Sequence, residues 1–362
     1  MKKKPDYILL GTIIITLLLG LAALLSASVA ESQKDSGGIY SYFIHQLIYG
    51  VGIGIVFGFI AYKVHYKKLR PLALPILLIS LFFLILVFVP QVSSESGGAK
   101  RWISIYGFTF QPSELAKLAF IIYLAAWLEA RRKTFKNWNA SFVPFLIIVS
   151  ILGGLVAFQP DLGTLGIISL TAASIYLVAG ASLAQMGAIV VSGIGLLAAL
   201  IKIYPHKMDR ITSFLNSSHD PLGISYQINQ ALLAVGSGGL LGVGLGKSVQ
   251  KYSFLPEPMK DSIFAVWSEE AGFLGAIFLI GLFLVIAFRG LRIARRSKDR
   301  FGQLVAVGIT FWMISQAFVN IGSMIGLLPL TGIPLPLVSY GGSSMVVTLA
   351  GFGVLLNISK YT

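Results

Sequence analysis

Leu255-Pro256-Glu257-Pro258-Met259-Lys260-Asp261-Ser262-Ile263-Phe264-Ala265-Val266-Trp267-Ser268-Glu269-Glu270 marks the place where a polar segment gives way to a long apolar run. The polar segment begins near Lys202 and carries Asp209, Arg210, His219, Asp220 and a glycine-rich stretch. It interrupts a chain otherwise built of long hydrophobic runs. Charged groups at a bilayer boundary are costly to keep and usually functional. An acid at the end of such a loop, directly before an apolar helix, is the first place to look for chemistry.

Outward from that point, composition sets the class. The chain has 362 residues, 56% hydrophobic and 12% charged, against roughly 25% charged in soluble domains. Apolar runs of membrane-spanning length recur near 7–29, 43–62, 71–90, 112–130, 142–159, 162–180, 184–203, 263–289, 301–327 and 340–358. The expectation is an all-α polytopic membrane protein. It forms a single domain over 1–362, with about ten transmembrane helices and a large loop, 202–262, between helices 7 and 8. The absence of cysteine excludes disulfides and thiolate metal sites. Met1-Lys2-Lys3-Lys4 and a Ser28-Val29-Ala30 step resemble a signal peptide. The apolar run is too long for a signal and further spans follow, so an uncleaved first helix is expected.

The formal net charge is +14, and its distribution fixes its meaning. Placing both termini on one side collects 18 of the 28 basic residues there: Lys2, Lys3, Lys4, Lys63, Lys67, Lys68, Arg70, Arg131, Arg132, Lys133, Lys136, Arg289, Arg292, Arg295, Arg296, Lys298, Arg300 and Lys360. Only the acids Asp6, Glu129 and Asp299 join them. The positive-inside rule makes that side cytoplasmic. The basic excess is thus a topology signal and argues against a nucleic-acid partner. The loops holding residues 90–112, 202–262 and 332–340 then face outward.

Four outward segments carry polar groups, each with a structural reading beside a functional one. In Gln111-Pro112-Ser113-Glu114-Leu115-Ala116-Lys117, Pro112 suits a first helical turn and Ser113 a cap. Glu114 and Lys117 share a helical face, as an internal ion pair would. Asp161, in Gln159-Pro160-Asp161-Leu162-Gly163-Thr164, suits an N-cap. The run Gly236-Ser237-Gly238-Gly239-Leu240-Leu241-Gly242-Val243-Gly244-Leu245-Gly246-Lys247 offers amides to phosphate or permits tight backbone. Its spacing is not that of a nucleotide-binding loop, and the structural role is favoured. Asp261 could cap the next helix, whereas Glu269 and Glu270 require buried cationic partners. The prolines and glycines of 328–344 give a stiff, non-helical entry to the last span.

Taken in order, several segments resemble the SEDS family (shape, elongation, division and sporulation). They are Ala99-Lys100-Arg101-Trp102-Ile103, Gln111 to Lys117, Gln159 to Thr164, Leu255-Pro256-Glu257 with Asp261, Ile263-Phe264-Ala265 and Glu269-Glu270. Further along come Asn320-Ile321-Gly322, Leu328-Pro329, Thr331 to Pro336 and Ser339 to Ser343. The ordered set spans most of the chain. Lys260 and Ser262 depart from the family's usual flanks to the acid, and Ala271 replaces its usual leucine. The stretch Gly242 to Lys251 is more similar to the division branch, FtsW, than to the elongation branch, RodA.

The resemblance implies a glycosyltransferase that polymerises lipid II into peptidoglycan strands at the outer face of the bacterial cytoplasmic membrane and releases undecaprenyl pyrophosphate. It implies Asp261 as catalytic base or as ligand to a divalent ion, Mg or Mn, with no organic cofactor. Arg101, Lys117 and Arg210 become candidates for the pyrophosphate, with Glu114 orienting Lys117. Asp161, Glu269 and Ser343 complete the expected substrate-binding set. The implied partners are a class B penicillin-binding protein, lipid II and undecaprenyl lipids, and other division or elongation membrane proteins. A lipid II flippase should place ionisable groups near the bilayer midplane, often within repeated halves. The clustering of charge at the outer boundary favours the enzyme. A non-catalytic division scaffold would leave Asp261, Glu114 and Lys117 unexplained.

Overall fold

The computed structural model describes residues 4–32, 38–96, 99–105, 108–132, 138–203, 208–215, 223–252 and 254–362. His219 and Asp220, and the basic residues Lys2, Lys3, Lys133 and Lys136, lie outside the described residues.

Among the described residues, ten helical passes run between the two ends of the molecule, as the hydrophobic runs predict. They are α1 (Tyr7–Ser32), a composite pass of α2 (Ser41–His45), a π-helical turn (Gln46–Gly52) and α3 (Ile53–Lys63), then α4 (Leu69–Leu86) and α5 (Pro112–Ala130). α6 (Val143–Ala157), α7 (Leu162–Val178), α8 (Leu183–Ile203), α11 (Ile263–Arg296), α12 (Arg300–Met324) and α13 (Gly342–Ser359) follow. Eight passes are by themselves long and apolar enough to cross a membrane. α7 is shorter, and α5 carries Glu114, Lys117 and Glu129. Two short helices, α9 (Met208–Leu215) and α10 (Ile224–Ser237), belong to the large loop.

α12 and α13 form the centre and are the most enclosed passes, 72% and 83% buried over their apolar windows. α12 packs against α11, α7 and α5, and α13 against α3. Small residues allow the close approach usual between membrane helices. A Cβ on Gly353 would meet the carbonyl oxygen of Gly58 at 2.2 Å, and one on Gly290 the Thr310 side chain at 2.2 Å. α8 lies at the periphery against α7, with most of its apolar surface exposed.

The helical bundle carries one small sheet. The loop after α4 forms an antiparallel meander of β1 (Ser93–Ser96), β2 (Ala99–Ile105) and β3 (Phe108–Phe110). Ser94 pairs with Trp102 and Ile103 with Phe110, and the register slips between Ser94 and Glu95. Buried Ile103 and the edge contact of Phe110 with Phe83 of α4 fix the sheet to the bundle.

The other end gathers the basic junctions. Arg289 forks onto Asp6, Arg70 pairs with Glu129 at 3.0 Å, the Tyr66 hydroxyl donates to Asp299, and Arg300 donates to the Val178 carbonyl. Asn357 of α13 takes the Tyr66 amide on its Oδ1 and donates to the Tyr62 carbonyl, closing the turn between α3 and α4.

Candidate active site

The site lies at the opposite end, where the segment before α11 meets the segment before α13. Three successive carbonyls anchor the backbone around Asp261. The Tyr340 amide donates to Met259 O (2.8 Å), the Ser339 hydroxyl to Lys260 O (2.5 Å), and the Asn320 amide to Asp261 O (2.8 Å). Asn320 also donates to Ile333 O at 2.8 Å, so one side chain of α12 ties both segments together. Such cross-bracing holds a reactive group within the small positional tolerance that catalysis demands.

Asp261 does not cap α11. Ser262 occupies the N-cap position, and no side chain caps the helix. The carboxylate instead has one long contact, Gln227 Nε2 to Oδ2 at 3.5 Å, while Oδ1 is buried without a hydrogen-bond donor. Burial pushes the carboxyl up to about 6, and the nearby Glu257 carboxylate pushes the same way. A half-buried carboxylate with one oxygen shielded from water, without a cap to make or an ion pair to satisfy, is unusual unless it has work to do. Asn320 Oδ1 and Thr331 Oγ1, on the same converging segments, are also buried and unpartnered.

Arg210 and Arg101 bring positive charge to this end. Arg210 of α9 donates to Leu330 O at 3.1 Å. Its proton affinity is lowered first by burial and then by repulsion from Arg101, against the attraction of Asp261 and Asp161. The four side chains thus form one electrostatic neighbourhood. Arg101 leaves β2 to donate to Gln159 O (3.1 Å) and Pro160 O (2.8 Å), so the sheet delivers a guanidinium to the α6–α7 hinge. Each guanidinium keeps donors beyond those used here. Asp161 caps α7 as the sequence suggests, accepting from the Thr164 amide at 3.1 Å.

Lys117 and Glu114 lie deeper and are closed in. Their 2.9 Å ion pair is almost fully buried. A lone charge here would cost about 2.5–3.5 kcal/mol; pairing and hydrogen bonding offset that. Lys117 also donates to Gln316 Oε1 at 2.9 Å, which accepts from Trp312 Nε1 at 2.8 Å as well. Gln316 Nε2 donates in turn to Pro334 O at 2.8 Å. Gln316 and Asn320 stand four apart on one face of α12 and hold the adjacent carbonyls of Pro334 and Ile333. The Glu114–Lys117 pair therefore supports the scaffold that carries Asp261, with two of the three ammonium donors on protein oxygens and the Trp312 ring beside it. Sequence reasoning did not single out Gln316. Its signal was a polar stripe, Gln316 and Asn320, at helical spacing on an otherwise apolar span. Ser113 is not the cap: α5 starts at Pro112, and the Ser113 hydroxyl is buried without a partner. Ser343 joins α13 to the start of α5 by accepting from the Gln111 amide, the residue before Pro112, at 3.1 Å.

Glu269, expected at the substrate, makes its hydrogen bonds to the end of the large loop. Its Oε1 accepts the Val249 amide at 2.9 Å and its Oε2 the Ser248 hydroxyl. Glu270 Oε1 accepts from Lys251 Nζ (2.7 Å), the Ser26 hydroxyl and the Ser248 amide (3.3 Å). Both carboxylates pin the glycine-rich run to the first turns of α11. That helix breaks at Gly272 (φ 68°, ψ −170°), which frees carbonyls before it and amides after it. The glycine run bonds two of each. Val243 N donates to Glu269 O (3.0 Å) and Gly244 N to Glu270 O (3.1 Å). In return Phe273 N donates to Gly239 O (2.8 Å) and Leu274 N to Leu240 O (3.2 Å). Cβ atoms on Gly238 or Gly242 would sit 2.2 and 2.1 Å from α11 carbonyl oxygens. The glycines thus serve close backbone contact, and the Val243 and Gly244 amides are already committed.

Among the described residues no three His, Cys, Asp or Glu side chains converge to hold a metal ion. The unpartnered Oδ1 of Asp261 fits a hard divalent ion that takes one protein carboxylate and completes its shell from water and substrate phosphate.

Comparison with known proteins places this arrangement. The model of the FtsW/RodA/SpoVE family, described as cell cycle protein, matches residues 7–362. Stage V sporulation protein E of Bacillus subtilis is 40% identical over 361 residues, covering all of this chain and 98% of that protein. The probable peptidoglycan glycosyltransferase FtsW of Geobacter metallireducens is 39% identical, covering 92% of this chain and 88% of that protein. Among solved structures, a chain described under structural coordination of polymerization and crosslinking by a peptidoglycan synthase complex superposes with a TM-score of 0.80 at 28% identity. The match covers 98% of this chain and 97% of that one. The rod shape determining protein RodA of Thermus thermophilus gives 0.73 at 29% identity, over 99% and 98% of the two chains. With ten helical passes, the ordered motifs and a match along nearly its whole length, the chain belongs to the FtsW/RodA/SpoVE family of membrane proteins.

Proposed function

We propose that this protein polymerises lipid II into glycan strands at the outer face of the bacterial cytoplasmic membrane, with both termini in the cytoplasm. The observation that carries the reading is Asp261: a braced carboxylate with a buried, unused oxygen, in electrostatic reach of Arg210, which Arg101 in turn repels. The names of the FtsW relatives support the same activity. The gathering of basic residues at the opposite end supports the orientation.

In the proposed reaction, the 4-hydroxyl oxygen of one saccharide attacks the anomeric carbon of another. Asp261 accepts the hydroxyl proton as general base. The bond from the anomeric carbon to the diphosphate oxygen breaks, and undecaprenyl pyrophosphate leaves with the electron pair. Arg101 and Arg210 stabilise the charge that develops there. Asp161 holds Arg210 in place electrostatically and starts α7. Glu114, Lys117, Gln316 and Asn320 position the strap that carries Asp261 from behind. A divalent ion bound at Asp261 Oδ1 would add charge neutralisation at the diphosphate. A class B penicillin-binding protein, in a membrane assembly for division or sporulation, would crosslink the strands. That pairing rests on the synthase complex found among the structural matches.

The buried Glu114–Lys117 pair, inside a span, is the one feature that favours transport. The deciding experiment supplies purified lipid II in detergent, where no leaflets exist. Formation of glycan polymer supports the enzyme. No polymer, together with protein-dependent movement of labelled lipid II across liposomes, overturns it.

A further inference from the structure

At the end opposite Asp261, a half-open cavity of about 220 Å³ is lined by Lys4, Pro5 and Asp6 ahead of α1, by Arg289, Arg292 and Arg296 in the last turns of α11, and by Ser359 and Thr362 at the end of α13. We infer that it binds the phosphodiester headgroup of an anionic glycerophospholipid in the leaflet on the side of the chain termini. The proposal is independent of the polymerase reading.

The arginines stand three and four residues apart, so one face of α11 turns all three toward the same space. Four cationic side chains meet one side-chain carboxylate. That carboxylate is already spent: Arg289 Nε reaches Asp6 Oδ1 at 3.1 Å and Oδ2 at 2.9 Å, and its terminal nitrogen donates to Oδ2 as well. Asp6 also takes the Leu9 amide on Oδ1, and its own amide donates to Ser359 Oγ at 3.1 Å. The Arg289–Asp6 fork therefore builds the wall. Among the described residues, Lys4, Arg292 and Arg296 have no ion pair and no side-chain hydrogen bond. Like charges facing one cavity repel, and an anion between them removes the penalty. Arg292 and Arg296 supply the planar donors that suit phosphate oxygens.

The surroundings select a lipid over a soluble anion. The cavity opens where the helices leave the apolar zone. Beside it, toward the span, Leu284 and Phe288 of α11 and Ile8 of α1 are 63%, 65% and 57% exposed. A headgroup in the cavity would lay its acyl chains on these side chains. Basic pockets between helix ends at a membrane surface recognise anionic headgroups on the same physical grounds.

The test uses the full chain purified in uncharged detergent and stripped of lipid, with native mass spectrometry and thermal midpoints as readouts. The probes are phosphatidylglycerol, phosphatidylcholine, glycerol phosphate and a poly-glutamate peptide. Variants are Arg292→Gln with Arg296→Gln, and Arg292→Lys with Arg296→Lys. Arg295→Gln is the control, because Arg295 is exposed and does not line the cavity. The expected result is one retained phosphatidylglycerol, preferred at least tenfold over phosphatidylcholine. The double glutamine variant should lose roughly 10- to 30-fold in affinity. The double lysine variant should keep most of it, and Arg295→Gln should behave as the native chain. An equal loss in Arg295→Gln, or equal binding of phosphatidylcholine, would overturn the proposal. Glycerol phosphate binding as tightly as the lipid would replace the lipid with a free anion. Poly-glutamate binding that depends on Arg292 and Arg296, without phosphatidylglycerol binding, would replace it with a protein partner.

Discussion

Replacing Lys251 with Met should unfasten the glycine-rich run from α11. The Lys251 ammonium is about 1% exposed, and its three donors are all used, on Ser26 Oγ (2.7 Å), Gly246 O (2.8 Å) and Glu270 Oε1 (2.7 Å). Methionine keeps the unbranched stem, one atom shorter and without the ammonium, and leaves the Glu270 carboxylate buried and uncompensated. Breaking a buried pair from one side costs about 3–5 kcal/mol. Replacing both partners with neutral groups of similar shape is often close to neutral. Lys251→Met should therefore lower the thermal midpoint in detergent sharply and expose residues 238–252 to protease. Adding Glu270→Gln should restore most of the loss, with a coupling of about 2 kcal/mol or more in the double-mutant cycle. A double variant as unstable as Lys251→Met alone would refute the reasoning, because the loss would then come from packing and not from charge.

Gly272→Ala should be about as damaging, by 3 kcal/mol or more. Its backbone lies in a region essentially reserved for glycine, and a Cβ would stand 2.2 Å from the Gly242 amide nitrogen; expression level and thermal midpoint check this. Polymerisation should rise with pH through about 6, where the burial-raised Asp261 carboxyl gives up its proton. About a tenth of it is ionised at pH 5 and nine-tenths at pH 7, so a rate that falls over this interval would contradict the base role. Arg210→Ala and Arg101→Ala should each lower the turnover rate on the order of 100-fold, as loss of a donor to a developing anion does. A purely structural role would instead lower the thermal midpoint and leave turnover per folded molecule unchanged.

Some of this was legible from the chain alone. Span number, the side that collects Lys and Arg, and the Asp161 cap follow from local composition and spacing. The Glu114–Lys117 pair does too, because its partners are one helical turn apart. The meander at 93–110 was not legible, because its short strands are defined by cross-strand bonds and by packing on Phe83. Glu269 and Glu270 announced that they needed partners. Lys251 could not be named from sequence, because the break at Gly272 brings it there in three dimensions. Gln316 lay hidden for the same reason: a buried glutamine is informative only once Lys117 and Pro334 O are seen on either side of it. Asp261 was singled out by position, and the structure removed the competing cap reading by placing Ser262 at the helix start.

The central claim, that Asp261 is the base of a lipid II polymerase, is tested most directly with Asp261→Asn. The amide keeps the shape and the Gln227 contact but cannot accept the hydroxyl proton. Purified native and variant chains, matched in thermal midpoint, would be given lipid II in detergent at pH 7, and glycan strands resolved on gels. The account predicts polymer from the native chain and at least a 100-fold lower rate from Asp261→Asn. Polymer formed by the well-folded variant at the native rate would contradict it.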